Sequence, residues 1–130
     1  MDGLIVRQPF ADLLANGRKT WELRRRPLRI PGRFYILAAS KPDRSVANNK
    51  GKRLGVAVAT AEQVGLVGPL SVSDLVLQIR RHCATVDQLR KYAGEGELYA
   101  LRLRVRRLKQ PRRYRLRPGA VTIIRNVELI

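Results

Sequence analysis

One cysteine, one histidine, one tryptophan and one methionine stand among 130 residues, and acids are scarce, 10 Asp and Glu against 27 Lys and Arg. A lone Cys83 closes no internal disulfide and has no second thiolate with which to share a zinc. His82 is its neighbour, and adjacent side chains diverge on a helix, so the two make no metal pair. The carboxylates are scattered from Asp2 to Glu128, which excludes a two-metal nuclease centre. No metal and no other cofactor is expected. A single histidine rules out paired-histidine ribonuclease chemistry. Without a Gly-x-Ser-x-Gly elbow it serves no Ser-His-Asp triad either. No stretch approaches 18 apolar residues, and Met1-Asp2-Gly3-Leu4-Ile5-Val6-Arg7 lacks the positive start and long apolar run of a signal peptide. A cytoplasmic protein with no membrane partner is expected.

What is present in excess is arginine, 21 against 6 lysines, giving a net charge of +17 and a pI near 11.5. That balance draws a protein to polyanions, and the planar guanidinium grips phosphate through two parallel hydrogen bonds. At 45% hydrophobic and 28% charged the chain still has the composition of a globular protein. Its length suits one domain over residues 1–130.

Leu4-Ile5-Val6 reads as a first strand. Gln8 to Gly17 reads as a short helix, with Pro9 at its first position, Phe10, Leu13 and Leu14 at i, i+3, i+4, and a glycine to end it. Lys19 to Arg26 alternates as a strand does, and Arg33 to Ala39 reads as a buried strand. Residues 40 to 53 are polar and turn-rich, and a mobile loop is expected there. Leu54 to Val67 is small and β-branched, another strand. Ser71 to Asp74 has capping-box spacing ahead of Val72, Leu75, Val76 and Ile79 at i, i+3, i+4, i+7, one helix. Thr85 to Gln88 repeats the box before Leu89 and Tyr92. From Leu98 to Leu108, Tyr99, Leu101, Leu103 and Val105 alternate with Arg102, Arg104 and Arg106, placing a core on one face and guanidiniums on the other. Residues 109–119 are read as a basic turn segment, and the apolar runs 120–124 and 127–130 as pairing back into the sheet. Five or six short strands with a few short helices predict a mixed α/β, mainly β fold, a small barrel rather than a doubly wound sheet.

Two segments carry candidate chemistry. If Thr20 to Arg24 is extended, Thr20, Glu22 and Arg24 share a face while Trp21 and Leu23 point to the core. A carboxylate between the Lys19 ammonium and the Arg24 guanidinium stays ionised and can accept from an amine donor while its neighbours bind phosphate or carbonyl oxygen; the alternative is an ion pair that only holds a strand. The second segment is a tract of nine positive charges in sixteen residues, Arg102, Arg104, Arg106, Arg107, Lys109, Arg112, Arg113, Arg115 and Arg117, with no acid between Glu97 and Glu128. Tyr114 offers a ring on which a base could stack. Arg25, Arg26 and Arg29 would extend the surface.

Arg7-Gln8-Pro9-Phe10-Ala11, followed by Gly17-Arg18-Lys19-Thr20-Trp21-Glu22-Leu23-Arg24, resembles the signature of the ASCH domain family of the PUA-like superfamily. Gly17, Lys19, Glu22 and Arg24 match each defined position of its Gly-x-Lys-x-x-Glu-x-Arg stretch. Gly55 to Glu62 and Glu97 to Leu101 are similar to later strands of the family, so the likeness spans residues 4 to about 108. The resemblance implies a small PUA-like β-barrel with a cleft beside the first helix in which Lys19, Glu22 and Arg24 gather. It also implies association with RNA in translation, RNA processing or transcription coactivation. Some bacterial members hydrolyse acylated nucleosides or cleave RNA, and the amidohydrolases use a Lys and a Thr of the motif region. This chain keeps Lys19 but has Glu22 where those enzymes carry threonine, with Thr20 two positions earlier, a departure that argues against amidohydrolase activity.

The combined expectation is a nucleic-acid-binding domain, RNA ahead of DNA. A nucleotide cleft is expected at Lys19, Glu22 and Arg24, and a phosphate-gripping surface at Arg25, Arg26, Arg102, Arg104, Arg106, Arg112, Arg113, Tyr114, Arg115 and Arg117. The rival is a hydrolase acting on RNA or an acylated nucleoside through Lys19, Thr20 and Glu22. A weaker third reading is a module that joins a ribosome or transcription assembly through a protein partner.

Overall fold

The structure, a computed structural model, describes residues 1–41 and 53–130. The loop expected over residues 40 to 53 falls mostly on 42–52, outside the described residues. Six strands and four short helices follow in the order β1 (Gly3–Val6), α1 (Phe10–Ala15), β2 (Trp21–Arg24), β3 (Arg33–Ala38), β4 (Val56–Leu70), α2 (Val72–Val76), α3 (Ile79–His82), α4 (Val86–Ala93), β5 (Leu98–Arg113) and β6 (Ile123–Ile124). The strands form one sheet in the order β2-β5-β4-β3-β1-β6. Among the described residues only β1 and β3 are parallel. This is a mixed α/β, mainly β domain whose sheet makes a half-barrel.

Helix α1 has six residues, too few to be stable in water unaided. It exists because Ala11 and Leu14 are fully buried against Leu4, Val6, Phe34, Ile36, Leu101 and Leu103 on the inner face of the sheet, each large apolar side chain contributing about 1.5–3 kcal/mol. Pro9 stands at the N-cap position rather than inside the helix and supplies no side-chain cap. The fully buried Gln8 does so instead: its Oε1 accepts from the Asp12 N–H at 3.0 Å while its Nε2 donates to the Arg53 carbonyl at 2.9 Å.

A second core lies on the outer face, where Leu75 and Leu89 from the helices meet Trp21, Leu23, Leu98 and Ala100. Both capping boxes form, Ser71 with Asp74 and Thr85 with Gln88. The single helix expected from Val72 to Ile79 is two. The Leu75 carbonyl, which a continuing helix would offer to the Ile79 N–H, instead accepts from the Gln78 N–H at 2.9 Å and lies 2.6 Å from His82 Nε2. The Ala84 N–H donates to Nδ1, so the neutral ring carries its proton on Nε2 and donates to Leu75.

A third core joins Leu37, Ala57, Tyr114 and Ile124, with Val127 and Leu129 packed against it. The segment 109–119 is therefore not a turn throughout. Strand β5 runs to Arg113, and Tyr114 makes a bridge to Leu129. Pro111 is tolerated because the register jumps from Ala59 opposite Arg107 to Ala57 opposite Arg112, and proline is admitted where a strand bulges out of its ladder.

Candidate nucleic-acid interface

The motif residues do gather. Lys19 precedes β2 and is 3% exposed; Glu22 within the strand is 7% exposed. Lys19 Nζ lies 3.4 Å from Glu22 Oε1 and Arg24 Nη2 lies 2.7 Å from Glu22 Oε2. Both cations are also held by backbone carbonyls. Lys19 Nζ donates to the His82 carbonyl at 2.7 Å and sits 5.0 Å from the centre of the Phe10 ring. Arg24 Nη2 donates to the Ile5 carbonyl at 2.7 Å. The Ile5 N–H donates to the Thr122 carbonyl just before β6 begins, and N–H and C=O of one strand residue point the same way. Arg24 therefore completes the edge of β1 where β6 leaves off, and in doing so ties β2, at one end of the sheet, to β1 near the other.

Burial pushes the Lys19 ammonium below its ordinary pKa, opposed by the charge of Glu22. It also holds the His82 imidazole low and raises the hydroxyl of Tyr92, whose neighbours include Arg24, Glu22 and Arg25. Arg25 is exposed, yet its Nε donates to the Tyr92 carbonyl at 2.7 Å and its guanidinium lies 5.2 Å from the Tyr92 ring. Arg26 is exposed on the bend after β2.

Thr20 does not join the cluster. It precedes β2 and is exposed, and its backbone is used on both sides: the N–H donates to the Arg81 carbonyl and the carbonyl accepts from the Leu103 N–H, each at 2.9 Å. With Lys19 bonded to His82, this seals two carbonyls of the last turn of α3, groups a helix end otherwise leaves unpaired.

The register settles the relation between the two segments of interest. Trp21 lies opposite Arg102 and Glu22 opposite Leu101. Partners across a ladder share a face, so the motif carboxylate and the arginine row leave the sheet on opposite sides. The expected cleft and the expected arginine face thus lie on opposite faces of the sheet. Along β5 the alternation holds: Leu101 and Leu103 are buried while Arg102, Arg104 and Arg106 are exposed, as are Arg112 and Arg113. Glu62 stands opposite Arg104 and opposite Arg33, pairing with Arg33 at 3.6 Å.

Three members of the tract are otherwise employed. The Tyr114 ring is 4% exposed, its hydroxyl donates to the Ala38 carbonyl at 2.8 Å, and burial raises its pKa. Its ring is core and presents no platform for a base. Arg115 Nε pairs with Glu128 at 2.5 Å, so an acid beyond the tract does offset it, and Arg117 donates to the Asn126 carbonyl at 3.1 Å.

Sequence reasoning missed two further residues of the surface. Arg81, at the end of α3, places its guanidinium 5.1 Å from the centre of the Trp21 ring, and Val64, 46% exposed on β4, walls two shallow depressions. One, about 300 Å3, is lined by Arg29, Ile30, Pro31, Gln63, Val64 and Gly65. The other, about 200 Å3, is lined by Thr20, Trp21, Val64, Arg81, Arg102 and Leu103. No periodicity marks Arg81, because its neighbours in space, Trp21 and Arg102, lie on other elements and no fixed spacing along the chain joins α3 to β2 or β5.

Among the described residues no three His, Cys, Asp or Glu side chains gather as a metal site would require, and no helix is long and apolar enough to cross a membrane. The family model described as ASCH domain matches residues 4–115. Three solved structures are similar to this chain: ASCH from Zymomonas mobilis at TM-score 0.61, and a tyrosine-to-phenylalanine and a serine-to-alanine mutant of it, each at 0.60. All are 24% identical over 86% of this chain, covering 70% of the parent structure and of the serine mutant and 72% of the tyrosine mutant. Identity at that level speaks for the shared fold. No curated protein is close enough to match. Since the family model covers most of the chain, from β1 to the end of β5 and the bridge beyond it, the chain belongs to the ASCH domain family, which is PUA-like.

Proposed function

We propose that this chain is an RNA-binding domain that grips backbone phosphates along the outer face of β5. The observation that carries the reading is the row Arg102, Arg104 and Arg106, all exposed on a strand whose opposite side is core, continued by exposed Arg112 and Arg113. Solvated protein surfaces intersperse the two signs of charge, whereas among the described residues this row has one acid beside it, Glu62, which pairs with Arg33 rather than with the row. The preference for RNA over DNA comes from the PUA-like family rather than from the charge, which serves either.

The motif cluster takes the second part, recognition. What supports it is Arg24 Nε, a buried side-chain donor with no partner among the described residues. An unsatisfied buried donor costs about 1–3 kcal/mol, and an acceptor on a nucleotide base delivered there would recover it. The rival reading as a hydrolase draws on the lowered pKa of Lys19, a property of catalytic lysines. Yet its Nζ is enclosed by the His82 carbonyl, Glu22 and the Phe10 ring, and it lines neither of the two depressions.

The test is binding of labelled RNA and DNA of one sequence, single-stranded and duplex, across a salt series, with product analysis of the RNA after incubation. The expected result is tighter binding of RNA, a linear fall of log K with log salt, and intact RNA. Equal binding of RNA, DNA and heparin would leave only a generic polycation, and cleavage abolished by Lys19→Met in folded protein would establish the hydrolase.

A further inference from the structure

The depression beside Trp21 lies on the face of the sheet away from the motif cluster, and two guanidiniums enter it from different elements. Arg81 arrives from α3 and Arg102 from β5. Neither pairs with a carboxylate among the described residues. Each is nonetheless positioned. Arg81 lies over the Trp21 ring, an arrangement that orients a guanidinium, and its turn of helix is fixed by the Thr20 N–H bonded to its own carbonyl and by Lys19 bonded to the next. Arg102 lies across Gly65: a Cβ there would come 3.2 Å from Arg102 Cδ and 3.4 Å from its Nη1, so the absence of a side chain on β4 leaves room for the arginine. Two like charges held in one hollow repel, and a single anion between them reverses the sign of that interaction. Thr20, exposed in the lining of the hollow, carries a hydroxyl, a neutral donor. At about 200 Å3 the hollow is smaller than the roughly 300–1,000 Å3 of sites that enclose whole small molecules. It fits a phosphate group with the sugar and base outside.

We propose that Thr20, Arg81 and Arg102 form a phosphate-binding subsite that seats one backbone phosphate of a single-stranded RNA. The ligand rests on the nucleic-acid reading above; the site itself rests on the geometry around Trp21. Arg29 in the adjoining hollow, across the ridge of Val64, gives the strand a direction in which to continue.

Trp21 is the one tryptophan of the chain, so its emission reports on this hollow. The full chain is titrated with an eight-residue oligouridylate and, separately, with inorganic pyrophosphate, while RNA affinity is followed by anisotropy of a labelled copy. The oligouridylate is expected to change Trp21 emission saturably. Arg81→Gln with Arg102→Gln should remove that change, weaken binding by about tenfold or more and flatten the slope of log K against log salt by about 0.7, the value for one phosphate of a single strand. Gly65→Val keeps the net charge and suits a strand, but displaces Arg102, and should lose the emission change as well. Arg90→Gln with Lys91→Gln removes the same charge from exposed positions on α4 and should keep it.

If the RNA binds with no change in Trp21 emission, and the Arg81, Arg102 variant is no weaker than the Arg90, Lys91 one, the subsite is overturned while the RNA-binding reading stands. If RNA fails to bind but pyrophosphate changes the emission in a manner dependent on Arg81 and Arg102, the phosphate site is upheld and RNA as its source is overturned. If RNA fails to bind and pyrophosphate leaves the emission unchanged, the subsite is overturned together with that reading.

Discussion

Lys19 is the residue at which the sequence and the fold diverge most instructively. Its convergence with Glu22 and Arg24 was legible, because three charges within a strand and the residue before it can share one side. What was not legible is that two of them are also held by main-chain carbonyls, those of His82 and Ile5, groups every sequence has and none advertises. Replacing Lys19 by Met leaves Glu22 short of one partner and the His82 carbonyl unpaired. Breaking a buried pair in this way costs about 3–5 kcal/mol, and urea unfolding should show a loss of that order. Tyr114→Phe removes the bond to the Ala38 carbonyl and should cost about 1 kcal/mol with RNA affinity unchanged at any salt, which checks that the ring is core. His82 gives a pH dependence whose sign follows from its low pKa. The unfolded chain takes up its proton near the ordinary value of 6.5 and the folded chain only below that. The stabilisation is complete above pH 6.5 and declines as the solution is acidified beneath it, by at most about 1.4 kcal/mol per pH unit for one proton. Thermal unfolding of wild-type and His82→Gln protein between pH 7.5 and 5 should show this part of the gradient in the wild type alone.

Among the elements, β5 was the most legible, since strict alternation of apolar residues with arginine admits one reading. Its length was not. Lys109, Gln110 and Pro111 look like a turn, and only the jump in register opposite Ala57 and Ala59 shows how a strand can carry a proline and go on. The Val72 to Ile79 helix failed for a complementary reason: the pattern was helical, but His82, seven residues on, claims the Leu75 carbonyl. On the outer face of β5, the balance of charge can be tested from the acid side. Glu62→Gln removes the carboxylate that stands opposite Arg104 in the arginine row. Its exposed pair with Arg33, at 60% and 45% side-chain exposure, contributes little to stability. The variant should melt with the wild type and bind RNA more tightly at low salt, the advantage shrinking as salt rises. An unchanged affinity would place the RNA away from this strand.

For the molecule as a whole, the count of strands foretold a small mainly β fold, whereas the order β2-β5-β4-β3-β1-β6 had no counterpart in any local pattern. Strand order is set by which faces find one another after collapse, and the pairs that decide it are far apart in sequence. The position of β1 has a consequence for how the chain reaches this state. Gly3 pairs with Tyr35 on one side and with Ile124 on the other, and a Cβ on Gly3 would strike both Leu37 and Val127. The first strand to be made is thus clasped from both sides, with the second clasp formed by almost the most distant segment available. Closures of this span slow folding, and in the interval β1 offers another chain an open row of amides to template on. Refolding yield should therefore fall with protein concentration, through intermolecular strand exchange at β1, well before the charge repulsion of a +17 chain can keep the molecules apart in salt that screens it.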